Sequence, residues 1–131
     1  MGQLLERGHT VMIETGGHRS IARVPEAVIK IVDVKCPGSG EDARNCWENL
    51  SLVGPRDEVK FVLTDRADYL YARDVIARYE LTNKVGAVLL SPVHGVLEPK
   101  QLAEWVLTDR LQVRVQLQVH KYIWSPDTRG V

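Results

Sequence analysis

Cysteine is scarce in this sequence: Cys36 and Cys46 are the only two among 131 residues, and no metal-ligand spacing such as C-x-x-C pairs them. Two thiols cannot by themselves hold an iron–sulfur cluster that needs three or four thiolates. Free thiols in a cytoplasmic protein are the expectation. Excess charge is missing too, with 17 Lys plus Arg against 17 Asp plus Glu. That balance gives no support to binding nucleic acid or anionic lipid. No apolar run approaches the roughly 18 residues of a membrane-spanning helix. The first eight residues, Met1-Gly2-Gln3-Leu4-Leu5-Glu6-Arg7-Gly8, lack the basic start and long apolar region of a secretion signal. Internal repeats and low-complexity tracts are also missing.

What remains is the composition of a soluble globular domain, 44% hydrophobic and 26% charged, with a length that suits one domain over residues 1–131. Short apolar runs alternate with helical patterns. Residues 11–13 read as a strand ending at Glu14, and Thr15-Gly16-Gly17 turns the chain. Residues 28–34 form a β-branched strand, 59–63 a third, 85–90 a fourth ended by Ser91-Pro92, and 113–123 a last one. Tyr69, Ala72, Ile76 and Tyr79 recur at helical spacing after Asp65. Pro99 opens a second helix whose apolar face is Leu102, Trp105 and Val106. In the loop-rich stretch 36–56, residues 42–52 predict a short helix with Trp47 and Leu50 on its buried side. Strands alternating with helices mean an α/β fold, a mostly parallel sheet with crossover helices, either open or barrel-like. Gln3 to Arg7, capped by Gly8, reads as the tail of a helix running straight into a strand, so the domain is expected to be incomplete.

Polar groups stand at or just after each strand's C-terminal end: Glu14, then Asp33 and Lys35, then Thr64 and Asp65, then Ser91 and His94, then His120. Ligands converge on that edge in parallel α/β sheets and barrels. Asp33 and Lys35, two apart, point to one side of their strand. In the last strand Val113, Val115, Leu117 and Val119 line one face, and Arg114, Gln116, Gln118 and His120 the other. This pattern fits an edge strand with a wet outer face, and equally a barrel strand whose polar face looks into a ligand-bearing interior.

Five segments occur in order and at roughly the right spacings: Glu14-Thr15-Gly16-Gly17, Asp33-Val34-Lys35-Cys36-Pro37-Gly38-Ser39, Asp57-Glu58-Val59-Lys60-Phe61-Val62, Leu90-Ser91-Pro92-Val93-His94 and Gln116-Leu117-Gln118-Val119-His120-Lys121-Tyr122-Ile123-Trp124. Together they resemble the C-terminal portion of the 7-carboxy-7-deazaguanine synthase family, radical S-adenosylmethionine enzymes of queuosine and deazapurine biosynthesis. The resemblance covers essentially the whole chain, and the Gln-x-His-Lys-Tyr ending is its most specific piece. The family's three-cysteine cluster motif, its Thr-Gly-Gly-Glu-Pro segment and its magnesium contact lie upstream of the matching region.

The resemblance implies a partial radical-SAM (incomplete TIM-like) barrel. It implies that a full-length parent converts 6-carboxy-5,6,7,8-tetrahydropterin to 7-carboxy-7-deazaguanine with loss of ammonia, using S-adenosylmethionine, a 4Fe-4S cluster and magnesium, and acts as a homodimer. It places Glu14, Asp33, Val34, Lys35, Ser91, Pro92, Val93 and His94 at S-adenosylmethionine, and His120 and Pro126 at the pterin substrate. Cluster and magnesium ligands are expected outside this chain, and no catalytic residue or metal ligand within it. The chain alone is then expected to be inactive. Two other readings remain open: a non-catalytic half-barrel interaction module, and a generic nucleotide-binding α/β domain.

Overall fold

The computed structural model describes residues 11–16, 20–25 and 27–117. Five strands form one sheet in the order β1-β2-β3-β4-β5, and every pairing is parallel. They are β1 (Met12–Thr15), β2 (Ile29–Val34), β3 (Glu58–Leu63), β4 (Ala87–Pro92) and β5 (Arg114–Val115). Each strand lies beside its neighbour in the chain, so the strand order never reverses and the sheet has no switch-point crevice of the doubly wound kind. Among the described residues the sheet is open, with β1 and β5 at its edges. The helices are α1 (Asn49–Leu52), α2 (Arg66–Arg78), α3 (Leu81–Lys84) and α4 (Pro99–Asp109). None of them is long and apolar enough to cross a membrane.

Alternation in the strands decides which side the helices take. Val32 and Val34, then Val59, Phe61 and Leu63, then Val88 and Leu90 point to one face. They share a single core with Leu50, Tyr69, Ala72, Ile76, Leu81, Leu102 and Val106 of the helices. Crossovers of one hand between consecutive parallel strands put every helix on that side. The opposite face carries Glu14, Asp33, Glu58, Lys60, Ser91 and Arg114, by the register of the four pairings. One face packs on the helices, and the other mixes these polar groups with Ile31, Val62 and Leu89.

Two expectations need correcting. Residues 42–52 are not one helix: a 3-10 turn at Asp42–Arg44 is followed by extended backbone at Asn45, and helix returns only at Asn49. The cause is Asn45, whose side-chain amide accepts from the Lys35 N–H at 2.9 Å and donates to the Lys35 carbonyl at 2.8 Å. A tertiary pairing of that kind outweighs weak local helix propensity. The fourth strand is shifted by two residues and contains Ser91-Pro92, which pair with Val62 and Leu63. Pro92 is tolerated because it ends the strand, and the next amide, Val93 N–H, takes up the bond to the Leu63 carbonyl at 2.9 Å. The helical tail expected at residues 3–8 and most of the last strand, residues 118–123, lie outside the described residues.

Candidate functional site

The strand-end groups divide into two kinds. Thr64 and Asp65 are structural: the Asp65 carboxylate caps α2 by accepting from the Asp68 N–H at 2.9 Å, and Thr64 donates to Asp68 from both its amide and its hydroxyl. Asp68, buried, also accepts from the Gly38 N–H at 2.8 Å and so moors the 3-10 turn Pro37–Ser39 to the start of α2. Glu14, Asp33, Lys35 and Ser91 face the polar side of the sheet or its C-terminal rim. Asp33 and Lys35 point the same way and form an ion pair at 2.8 Å. Lys60, which the sequence did not single out, reaches across β2 to Glu14 at 3.8 Å. The signal for it was there: a lysine in mid-strand, in step with Glu58 and Val62, belongs to the polar face.

Two atoms on this face accept or donate no hydrogen bond among the described residues, although both are buried: Asp33 Oδ1 and Ser91 Oγ. Native structures rarely leave buried polar atoms unmatched, which makes these two atoms the candidates on this face for receiving a polar group. β3 runs between them, which sets the two atoms roughly 10–12 Å apart, two inter-strand spacings plus a step along the strand. That span suits a ligand of several rings or a nucleoside.

The remaining expected residues sort by side. The side chains of Val34 and Pro92 lie on the buried face with the helices, so only their backbone can reach a ligand on the polar side. Val93 and His94 enter the turn before α4. The Val93 carbonyl accepts from Val96 and Leu97 N–H at 3.0 and 3.1 Å. His94 lines a cavity of about 370 Å³ with residues 95–99. His120 and Pro126 lie outside the described residues. At the β1–β2 end, Gly16, Lys35, Glu41 and Arg44 line a cavity of about 220 Å³.

Cys36 does not suit a cluster. Cys36 is buried in the core, and burial, reinforced by Asp68, Asp33, Asp42 and Asp65, pushes its thiol well above the ordinary thiol range. Among the described residues no group of three metal-ligating side chains comes together. A thiol count checks the contrast between the two cysteines. Ellman's reagent at pH 8 is expected to modify the half-buried Cys46 within minutes, and Cys36 only after denaturation. Rapid modification of two thiols in the native protein would contradict the burial of Cys36.

The class that the fold defines is an α/β domain, an open parallel sheet with helices on one face and, among the described residues, two unmatched polar atoms on the other. The relatives narrow the class. The chain is a homologue of the 7-carboxy-7-deazaguanine synthases. It is 48% identical to the 7-carboxy-7-deazaguanine synthase of Koribacter versatilis over 143 aligned positions, which take in all of this chain and 63% of that protein. Identity to the synthase of Chlorobaculum tepidum is 46%, over all of this chain and 60% of that protein. Identity to that of Leptospira interrogans is 40%, over 91% of this chain and half of that protein. The chain thus spans between half and 63% of these relatives' length. No protein-family model and no solved structure matches it.

Proposed function

We propose that this chain forms the cofactor- and substrate-facing wall of a 7-carboxy-7-deazaguanine synthase, a cytoplasmic radical S-adenosylmethionine enzyme acting on 6-carboxy-5,6,7,8-tetrahydropterin. In this reading the open sheet is an arc of a barrel whose inner lining is the polar face. The observation that carries the reading is the pair of unmatched buried atoms, Asp33 Oδ1 and Ser91 Oγ, on segments that match the family's cofactor-binding motifs. S-adenosylmethionine fits them: ribose hydroxyls or an amino group donate to Asp33 Oδ1, and Ser91 Oγ both donates and accepts toward an adenine edge. Glu14, held by Lys60, offers a second carboxylate on the same face. Bound S-adenosylmethionine supplies the hydrogen abstraction that begins the family's ring contraction. The residues of this chain bind and orient.

The 4Fe-4S cluster does not fit this chain, because Cys36 faces the core and only Cys46 remains. In this reading the cluster and magnesium are held by sequence outside the 131 residues, and the chain by itself turns nothing over. The test joins this chain to the unmatched part of the Koribacter versatilis synthase and follows formation of 7-carboxy-7-deazaguanine without oxygen. The chimera is expected to be active. Asp33→Asn, which removes the charge with little change of shape, is expected to raise the KM for S-adenosylmethionine about 10- to 100-fold. An active chimera indifferent to Asp33→Asn would remove Asp33 from the site, and an inactive but cluster-loaded chimera would count against the proposal as a whole.

A further inference from the structure

The geometry points to Arg44 as a further binding residue: with Lys35 it forms a receptor for a ligand carboxylate at the β1–β2 mouth, with Glu41 as the group displaced. The inference rests on the reading above, but on a part of the chain that the strand-end motifs do not include. Arg44 and Lys35 line the same 220 Å³ cavity, together with Gly16 and Glu41. The position of Arg44 is set from the strand. Asn45, the next residue, grips both backbone groups of Lys35, donates to the Tyr71 hydroxyl at 3.3 Å, and leads into Trp47, which stacks on Tyr79 at 5.8 Å between ring centroids. A segment held at those points presents Arg44 beside Lys35 without needing its own helix. Charge supplies the rest. Lys35 is already matched by Asp33, whereas among the described residues Arg44 is held by Glu41 alone, at 3.3 Å and with both side chains half-exposed or more. An exposed i,i+3 pair of this kind is weak and screened by salt. A ligand carboxylate placed between a guanidinium and an ammonium exchanges with Glu41 at little loss, and a guanidinium takes it through two parallel N–H bonds.

Two molecules of the proposed reaction carry that carboxylate, S-adenosylmethionine and the pterin, and the test separates them. Dissociation constants are measured by calorimetry for the chimera described above and its Arg44→Gln and Glu41→Gln variants. The three probes are S-adenosylmethionine, 5′-methylthioadenosine, which lacks the carboxylate, and pterin-6-carboxylate. Arg44→Gln is expected to weaken one carboxylate ligand roughly 10- to 100-fold and to leave 5′-methylthioadenosine unchanged. Glu41→Gln is expected to tighten the same ligand a few-fold. Whichever carboxylate ligand responds identifies the source. Equal losses for 5′-methylthioadenosine, or no change with any probe, would overturn the role of Arg44 while leaving the parent reading intact. Failure of the unaltered chimera to bind any of the three would overturn both. Arg44 is exposed, so unchanged melting of its variant is the accompanying control.

Discussion

Asp57→Ala is expected to destabilise the protein by about 3–5 kcal/mol, the range for breaking a buried ion pair from one side. Asp57 sits at the N-terminal end of the sheet, where its carboxylate accepts from Lys30 N–H at 2.9 Å and from Gly54 N–H at 2.8 Å. Lys30 Nζ lies 3.8 Å from it, with both side chains under a tenth exposed. Removing the carboxylate leaves a buried ammonium that, among the described residues, keeps the Val28 carbonyl, 3.0 Å away. The backbone of Asp57 matters as well: its carbonyl accepts from Gly86 N–H at 2.8 Å, an approach so close that a Cβ on Gly86 would stand 2.7 Å from the Pro55 carbonyl oxygen. A thermal melt is expected to shift down by about 10–20 °C. The double variant Lys30→Met/Asp57→Leu is expected to recover most of the loss, because an apolar pair of similar volume removes the stranded charge. Full stability of Asp57→Ala alone would show that the pair contributes nothing.

Asp68→Ala is expected to be the next most damaging change, at about 3 kcal/mol, since one buried carboxylate serves three donors. Asp68→Asn keeps the shape and one acceptor oxygen and is expected to fall between the two. Gly38→Ala attacks the same junction from the other side: a Cβ there would lie 2.1 Å from Thr64 Oγ1 and 2.5 Å from Asp68 Oδ2. Because this junction moors the turn between Lys35 and Arg44, amide exchange at Gly38 and Thr64 should speed up in both variants. Equal melting temperatures for the alanine, asparagine and unaltered proteins would show that the turn holds without Asp68.

The strands and two long helices were legible because their causes are local. The β-branched run at residues 28–34 and the period of Tyr69, Ala72 and Ile76 act within one element, and β2 and α2 formed there. The failures were places where a distant group won. Asn45 broke the helix expected over residues 42–52 by pairing with Lys35. Pairing with β3 carried β4 through a Ser-Pro that reads as a stop. The short α3 followed no pattern long enough to see. In the last strand Val113 and Val115 pack against the core, whereas Leu117, on the same expected face, is exposed, because β5 itself ends at Val115.

The candidate site divides in the same way. That Asp33 and Lys35 share a side follows from a two-residue period, and their ion pair needed nothing else. The likeness to the deazaguanine synthases also lay in the order of short segments, which survives without any coordinates. Strand-end position alone could not tell Asp33 from Asp65. Both are acids at the end of a β-branched run, yet one keeps a buried oxygen unmatched on the polar face and the other caps a helix. Whether such a group is available or engaged depends on which atoms the rest of the chain brings within about 3 Å. Lys60 meets Glu14 over β2 from a segment far away in sequence, and Arg44 and Lys35 line one cavity although no regular element joins them. Hydrogen bonds and ion pairs act over a few ångströms of space whatever the separation along the chain, so only the tertiary structure decided them.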